Sequence, residues 1–366
     1  MKNTGRRVFL ILLLSLAGLY SAMAQYTETR KLRKAFKVSS ETNIEISNKY
    51  GTIELATWQK DSVVIEIKIY VEEKKMAKLE KSLDNIDFDF TNTPHYLVAR
   101  TITDKNKSQF ESELKRFKES LLQNDGSVEI NYKVWLPATN SLKLENKFGD
   151  IYLNDYNGPL NIDLSNGKLK AHDLLKKATI TLSFGGATIN SLPDGNINSN
   201  YSDVYIKQSG KLNLSSKSSE IELIESQSLF GNSRRDKFRI RELARVDMEA
   251  DFSDYRISNL RERANLRLNY GDVEMEKIEA NFNDIYIDCR STDVNLYFTP
   301  QSNFNFEIKQ TKSDVSLDPI FNVSEKNETD VKEQTVLMHG FFSKKSEGGD
   351  KLKLTTNGGN IRLRTY

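Results

Sequence analysis

The residues of this chain that could bind a charged ligand are concentrated in the segment SRRDKFRIREL and just beyond it. A guanidinium group binds carboxylates and phosphates, often through two parallel hydrogen bonds. An anionic glycan or a lipid headgroup is therefore the class of ligand that this segment could hold. The candidate ligand-binding arginines are Arg234, Arg235, Arg239, Arg241 and Arg256. Acidic residues lie among them, so a solvated surface of mixed charge is the alternative interpretation.

Aromatic residues form a second group of candidates. Tyr152 and Tyr205 alternate with apolar residues, so their rings should face outward, where they could stack on sugars. Exposed tyrosine is also common in ordinary strands. Six further aromatic residues each precede a bend in the chain, and we expect their rings to stack along an interior corner. These six are Tyr50, Phe148, Phe184, Tyr201, Phe252 and Tyr270.

Catalytic and metal-binding patterns are weak in this sequence. No pair of the three histidines, His95, His172 and His339, has the spacing of metal ligands. No nucleophile triad is indicated either. The single cysteine, Cys289, cannot form a disulfide within the chain or a cysteine-based zinc site, and we expect it to point inward. We therefore predict no catalytic residue, no metal and no cofactor.

Two patterns of charged residues each allow both a functional and a purely structural interpretation. Arg239 and Arg256, flanked by Glu222 and Glu274, could form the exterior cleft of a polysaccharide lyase, or simply a ladder of surface ion pairs. Acids also recur next to the bends, where they could hold Ca²⁺ or could bond to their own backbone, as turn acids commonly do. These acids are Asp150, Asp203, Glu220, Asp254, Asp272, Asp293 and Asp314.

The elements that must position these residues are indicated by an internal repeat. The bends recur every 17 or 18 residues from Gly149 to Gly271, and two steps of 21 follow. Counting each bend residue as position zero, positions +2 and +4 are apolar in every copy, whereas +3 is never aliphatic. The bend residues are Gly51, Gly149, Gly167, Gly185, Ser202, Ser219, Asp236, Ser253, Gly271, Thr292, Ser313 and Gly359.

This alternation predicts short strands with one buried face. A unit of this length cannot bury that face alone, but stacked units can. The sequence therefore predicts a mainly β protein, specifically a parallel β-solenoid (β-helix) of about 17 to 18 residues per coil. An antiparallel sandwich is the competing fold. Arg234 and Arg235 interrupt the usual pattern of the seventh unit, so we expect local distortion there.

The pattern divides the chain into five segments. Residues 1–24 read as a signal peptide, residues 25–58 as N-terminal strands and a first coil, and residues 59–140 as a small β-α capping module. Residues 141–320 hold the solenoid repeats, and residues 321–366 hold a loop excursion followed by a C-terminal coil. Within the capping module, apolar stripes predict two helices, over residues 74–85 and 106–123.

The first residues indicate export. A basic start, an apolar run and the small residues Ala22 and Ala24 form the tripartite pattern of a signal peptide cleaved after Ala24. We expect the general secretory route to deliver the chain to the periplasm, the outer-membrane surface or the extracellular space, with no transmembrane segment after cleavage. The whole chain has 53 basic and 51 acidic residues, which argues against a nucleic-acid partner.

The signal peptide, the strand-helix module, YKVWLPATNSLKLENKFGDIYL and the closing NGGNIRLRTY resemble the secreted bacterial "putative adhesin" family of β-solenoid proteins and the adhesin-like heads of predicted autotransporters. The resemblance implies surface attachment and offers no active site to carry over. We expect a non-enzymatic, exported protein of the cell envelope that binds a glycan or an envelope or surface protein. A carbohydrate-active β-helix enzyme and an envelope scaffold or sensor partner are the alternatives.

Overall fold

The structure is a computed structural model that describes residues 25–103 and 126–366. It is mainly β, as predicted, with a long mixed sheet of many strands. The described residues contain one short helix, and no helix among them is long and apolar enough to cross a membrane. The predicted signal peptide at 1–24 and the predicted helix at 106–123 lie outside the described residues.

The first half of the chain contributes thirteen strands and the helix to the described structure. The elements are β1 (Tyr26–Lys37), β2 (Asn43–Lys49), β3 (Ile53–Trp58), β4 (Ser62–Glu73), α1 (Met76–Asp84), β5 (Ile86–Asn92), β6 (Tyr96–Thr103), β7 (Ser127–Pro137), β8 (Leu142–Lys147), β9 (Ile151–Leu153), β10 (Leu160–Ser165), β11 (Lys168–Asp173), β12 (Ala178–Ser183) and β13 (Gly186–Asn200).

The second half contains longer strands and ends in a group of short ones. The elements are β14 (Asp203–Lys217), β15 (Glu220–Arg234), β16 (Lys237–Asp251), β17 (Asp254–Ile278), β18 (Asp284–Phe298), β19 (Phe304–Thr311), β20 (Asp314–Leu317), β21 (Phe321–Asp330), β22 (Thr335–Phe342), β23 (Asp350–Asn357) and β24 (Asn360–Thr365).

The chain forms two compact units. The described part of the first comprises residues 25–32, 68–87, 102–103 and 126–130, and the second comprises residues 33–67, 88–101 and 131–366. Helix α1 belongs to the first unit and coincides with the helix predicted over residues 74–85. Leu79 and Leu83 form its buried stripe, whereas Met76 on the same predicted stripe is largely exposed. The hydroxyl of Ser82 donates to Glu73 Oε1 at 3.1 Å.

Parallel pairing between successive segments dominates the second unit. Val204 pairs with Ile221, Ile221 with Phe238 and Phe238 with Tyr255, each seventeen residues after the last. The same parallel pairing joins β8 to β10, β10 to β12 and β12 to the second half of β13. Because the register is the same in each pair of strands, residues at equivalent positions of the repeat lie next to one another across the sheet. Each repeat position therefore forms a column of neighbouring side chains.

The predicted alternation of buried and exposed residues is present along these columns. All the +2 and +4 residues are buried except Val315 and Leu317, which are half-buried on the short strand β20. The +3 residues between them are exposed or half-buried. Burial of the apolar columns is the main favourable contribution to stability, at about 25 cal/mol per Å² of apolar surface removed from water.

The bends are built from two adjacent residues with different roles. The residue at −1 has positive φ in every bend, and the bend residue itself is small. At Gly149 a Cβ atom would lie 2.0 Å from the carbonyl oxygen of Gly51, so the close approach of neighbouring bends requires glycine there. Farther along, side chains replace glycine and accept backbone N–H groups of the preceding bend: Gly185 N–H donates to Ser202 Oγ and Ser202 N–H donates to Ser219 Oγ.

The sheet is mixed rather than parallel throughout, which corrects the prediction for the C-terminal region. Strand β22 runs antiparallel to both β19 and β21, so residues predicted as a loop excursion form a hairpin. Its end is anchored in an apolar cluster where the rings of Phe304 and Phe342 stack at 5.1 Å. Strands β23 and β24 pair with β18 on one side and with β19 and β20 on the other. The C-terminal segment is therefore inserted between two earlier segments.

One further prediction concerns local regularity. The seventh unit is not distorted at Arg234 and Arg235, because β15 and β16 pair without a register shift from Glu220 to Arg234. The irregularity lies one unit later, where the pairing shifts between Leu243 and Arg245. At the other end, the residues of β6 and β7 that lie in the second unit pair in parallel with β2 and β3.

Candidate functional site

The most distinctive exposed feature of the second unit is a row of side chains at the −1 positions of the first nine bends, from Gly51 to Gly271, which we call the corner row. Parallel pairing fixes its order from one bend to the next, and every member has φ between 51 and 66°. A bulky residue rarely adopts this left-handed conformation. The corner row comprises Tyr50, Phe148, Asn166, Phe184, Tyr201, Ser218, Arg235, Phe252 and Tyr270.

The aromatic members of the corner row stack in pairs on the outside of the protein. Phe184 and Tyr201 are nearly parallel with ring centroids 5.1 Å apart, and Phe252 and Tyr270 are parallel at 4.8 Å. Tyr50 and Phe148 form a third stack at 5.6 Å. Phe184 is 62% exposed and Phe252 is 51% exposed.

Stacking of these rings was expected, but their placement at an interior corner was wrong. The left-handed residue breaks the alternation of the strand. The bend residue after it therefore faces inward and the −1 side chain faces solvent. The aromatic pattern before each bend was visible in the sequence, but its direction depends on a backbone conformation that period-two reasoning does not include.

The five candidate arginines are all exposed but divide into two groups. Arg239 pairs with Glu220, and Arg256 pairs with Glu274 at 2.9 Å and approaches Glu276 at 3.8 Å. Exposed pairs of this kind contribute about 0 to 1 kcal/mol. Arg256 therefore has the predicted partner, whereas Arg239 pairs with Glu220 rather than Glu222.

The other three candidates, Arg234, Arg235 and Arg241, have no ion pair and no side-chain hydrogen bond within the described parts of the chain. Arg235 occupies the corner row itself, at φ 59°, directly before Phe252 in the order of the bends. Arg234 precedes it and pairs through its backbone with Lys217 on one side and Asp251 on the other. The structure thus places Arg235 next to the exposed Phe252 in the order of the corner row, with Arg234 directly before it in the chain.

The two candidate tyrosines each border an open hollow on the +3 face. Tyr205 lines a hollow of about 390 Å³. The residues that line it include Gly186 and Thr188, which have small side chains. Tyr152 lines a separate hollow of about 410 Å³. The Tyr152 hydroxyl donates to Asp150 Oδ2 at 2.9 Å, and this hydrogen bond raises the pKa of the phenol.

Some of the acids next to the bends accept hydrogen bonds from backbone N–H groups of neighbouring strands. Asp150 Oδ1 accepts the N–H of Lys168 at 2.8 Å, and Asp293 Oδ1 accepts the N–H of Asn360 at 2.8 Å. Burial raises the pKa of Asp272, and the charges of Asp254 and Asp293 raise it further. These last three acids lie at +1 of consecutive bends, so like charges adjoin one another.

The buried carboxylate of the second unit is the bend residue Asp236, which is 1% exposed. It accepts hydrogen bonds from Ser216 Oγ at 2.7 Å, Ser219 N–H at 2.7 Å and Arg234 N–H at 3.0 Å. Burial raises its pKa in spite of these bonds. Asp236 therefore ties two successive bends together, and its carboxylate forms no ion pair with the described arginines on the surface. The sulfur of Cys289 is buried, as predicted, and burial raises the pKa of its thiol.

Two groups of side chains have the donor set of a divalent cation site. Asp155, His172 and Asp173 form one, and Glu307, His339 and Asp350 form the other, with ligand atoms within 4.8 Å of one another in each. His172 Nδ1 is hydrogen-bonded to Asp155, which raises the pKa of the imidazole and lowers that of the carboxyl. Sequence spacing did not indicate either group, because in each at least one acid comes from a strand or loop distant in the chain.

Comparisons with known proteins give weak likenesses. No family model matches the chain, and no curated protein matches it. Among solved structures, a "putative adhesin" from Parabacteroides distasonis has a TM-score of 0.34 at 9% identity, with 73% of this chain and 97% of that chain covered. A "putative lipid binding protein" from the same organism has a TM-score of 0.29 at 11% identity, covering 92% and 96%.

A third solved structure, a "putative cell adhesion protein" from Clostridium sporogenes, has a TM-score of 0.21 at 9% identity and covers 93% of this chain and 100% of that chain. At such low TM-scores and identities, these likenesses transfer neither a ligand nor a mechanism to this chain.

Proposed function

We propose that this chain is an exported, non-enzymatic β-solenoid of the cell envelope that binds a surface glycan through its corner row, in an adhesin-like role. The observation that carries the proposal is the exposure of stacked aromatic rings at successive bends, of which Phe184, Tyr201, Phe252 and Tyr270 are the most exposed. Their regular placement follows from the fold, so one ligand could contact several of them in line.

The solenoid architecture is supported by the constant parallel register of the second unit. Positions +2 and +4 of consecutive segments pair with their equivalents and are buried together, as a stack of coils requires. Each coil would be incomplete alone and is stabilised by its two neighbours. The corner row is then a straight edge whose length grows with the number of coils.

Aromatic rings on that edge favour carbohydrate as the ligand. A ring buries a large apolar area while losing little conformational freedom, which suits recognition of the apolar faces of sugars. The residue at −1 has positive φ in every bend, and placing a bulky aromatic residue there costs about 1 to 3 kcal/mol. Outward display of these rings adds nothing to the core, so binding is the role that best explains them.

Binding is favoured over catalysis by how the charged residues are used. Arg239 and Arg256, the residues from which a lyase-like cleft could be built, are engaged in ion pairs with Glu220 and Glu274. A lyase of this type needs a base and a neutralising cation aimed into one groove. Two of the three unpaired candidate arginines, Arg234 and Arg235, lie instead at the corner row.

A glycan array tests the proposal. The native chain is compared with a variant carrying Phe184→Ala, Tyr201→Ala, Phe252→Ala and Tyr270→Ala. The control is Tyr286→Ala, which removes an exposed ring at 39% exposure away from the corner row. We expect the native chain and the control to bind the same glycans and the fourfold variant to lose them. Equal binding by all three, or no glycan bound by the native chain, would refute the role of the corner row.

Export and the absence of catalysis are tested separately. Cell fractionation of the producing bacterium should find the chain in the envelope or the medium, with residues 1–24 removed. Incubation with the glycans that it binds should release no fragments. Release of fragments at a rate that depends on Arg239 or Arg256 would replace the binding proposal with the carbohydrate-active alternative.

A further inference from the structure

The corner row is interrupted by a positively charged segment between two aromatic stacks. Tyr201 ends one stack and Phe252 begins the next, and the two bends between them carry Ser218 and Arg235 at −1. The residues at −2 of those bends, directly before Ser218 and Arg235, are Lys217 and Arg234. We call Lys217, Ser218, Arg234 and Arg235 the cationic notch.

The dimensions of the notch follow from parallel pairing. Adjacent strands lie about 4.8 Å apart, and Tyr201 and Phe252 are separated by three such steps, so the gap is about 14 Å long. The stacking partners Phe184 and Tyr270 cover the far faces of the two rings. The faces turned toward the notch are the ones that no aromatic partner covers. A short run of sugar units could therefore lie between two ring faces.

The charge of the notch is not neutralised within the described parts of the chain. The guanidinium groups of Arg234 and Arg235 form no ion pair there, and Lys217 Nζ lies 5.9 Å from the centre of the Tyr201 ring. Asp251 is the neighbouring acid, and its Oδ1 accepts a hydrogen bond from Asn269. The three cations therefore lie beside two carboxylates, that of Asp251 and that of the buried Asp236, in a protein whose total charge is close to zero.

We propose that the cationic notch binds an acidic polysaccharide, with its carboxylate groups held by Arg234, Arg235 and Lys217 and its sugar rings packed against Tyr201 and Phe252. This inference rests on the proposed function and adds the class of glycan. Arginine suits it because a guanidinium holds a carboxylate through two hydrogen bonds, whereas an uncharged sugar offers no such partner. The small side chain of Ser218 leaves room for the ligand.

The test uses two polymers that share a backbone and differ in charge: polygalacturonate and its fully methyl-esterified form. Binding to the full mature chain is measured by titration calorimetry at two salt concentrations. We expect polygalacturonate to bind at least tenfold more tightly than the ester, and more weakly as salt rises. The double variant Arg234→Ala with Arg235→Ala should lose at least tenfold in affinity for polygalacturonate. The control is Arg267→Ala, which removes an exposed arginine that is paired with Glu249.

Alginate and hyaluronan are tested in the same way, so that the inference does not depend on one acidic sugar. If no acidic polymer binds, or if Arg267→Ala weakens binding as much as the double variant, the inference is overturned. If the native chain binds neutral glycans on the array and the fourfold aromatic variant does not, the proposed function stands without the notch. Melting temperatures of the variants equal to that of the native chain exclude unfolding as the cause of any loss.

Discussion

Substitution of Asp236 gives the sharpest test of how the bends are held together. Asp236→Ala removes the acceptor of three hydrogen bonds, from Ser216 Oγ and from the N–H groups of Ser219 and Arg234. The hydroxyl can rotate to another acceptor, but the two N–H groups cannot. A donor left unpaired in the interior costs about 1 to 3 kcal/mol, and removal of the buried carboxylate offsets part of this. We expect a net loss of about 3 kcal/mol.

The loss should be local, so it is best measured by amide hydrogen exchange of peptides covering residues 215–240. A destabilisation of about 3 kcal/mol speeds exchange by roughly a hundredfold, because each 1.4 kcal/mol corresponds to about a factor of ten. The control is Asp254→Ala, at an exposed position of the next bend. If the two variants exchange at similar rates in this segment, the bonding of Asp236 across successive bends contributes little and the reasoning is refuted.

Three further predictions concern the columns and bends. Ile257→Asp, at a position with no exposed surface, should lower the free energy of unfolding by more than about 4 kcal/mol. Arg256→Asp beside it should lower it by less than about 1 kcal/mol. Similar losses of melting temperature in the two variants would contradict the assignment of Ile257 to the interior and Arg256 to the surface. Gly167→Ala puts a Cβ atom 2.1 Å from a carbonyl oxygen and should cost about 1 to 3 kcal/mol, whereas Gly349→Ala meets nothing within 4 Å and should leave the melting temperature unchanged. Because burial and neighbouring acids raise the pKa of Asp272, its charge opposes folding above that pKa, so Asp272→Asn should stabilise the chain at pH 7. The gain should fall as the pH drops through about 4 and vanish near about pH 3, where aspartate is protonated in both states, and a gain that persists there would contradict this cause.

The part of the fold that the sequence could predict is the part governed by alternation. Ile221 and Leu223 are buried on either side of exposed Glu222 because a strand sends successive side chains to opposite faces. The seventeen-residue spacing of equivalent positions likewise anticipated their parallel register. Cys289 lies inward for the same reason. These features depend only on local geometry and on burial of apolar surface.

Features that depend on rare backbone conformations or on the order of distant segments could not be predicted in this way. The aromatic side chains at −1 face outward because their residues have positive φ, which alternation does not anticipate. The position of β23 and β24 between β18 and β19 is invisible to a periodic pattern, because every copy presents the same apolar columns to any neighbour. The two groups of possible cation ligands, at His172 and His339, also bring together residues separated in sequence.

The candidate site combines a predicted component with one that the structure added. The arginines at 234 and 235 were candidates because of their charge, but the sequence did not indicate that they would remain unpaired while Arg239 and Arg256 found partners. They lie in the corner row between Tyr201 and Phe252, whose exposure strand alternation does not predict. The direction of the side chain at −1 of each bend therefore brings charged and aromatic groups onto the same surface.

Hydroxyl-radical footprinting tests the central claim most directly, because aromatic side chains are labelled readily and the corner row is rich in them. The full chain is labelled with and without polygalacturonate, and the modified residues are mapped by mass spectrometry. We expect the polymer to protect Tyr201 and Phe252 and to leave Tyr96 and Tyr286, which are exposed elsewhere, unchanged. Unchanged labelling of the corner row, or protection confined to residues away from it, would contradict the account.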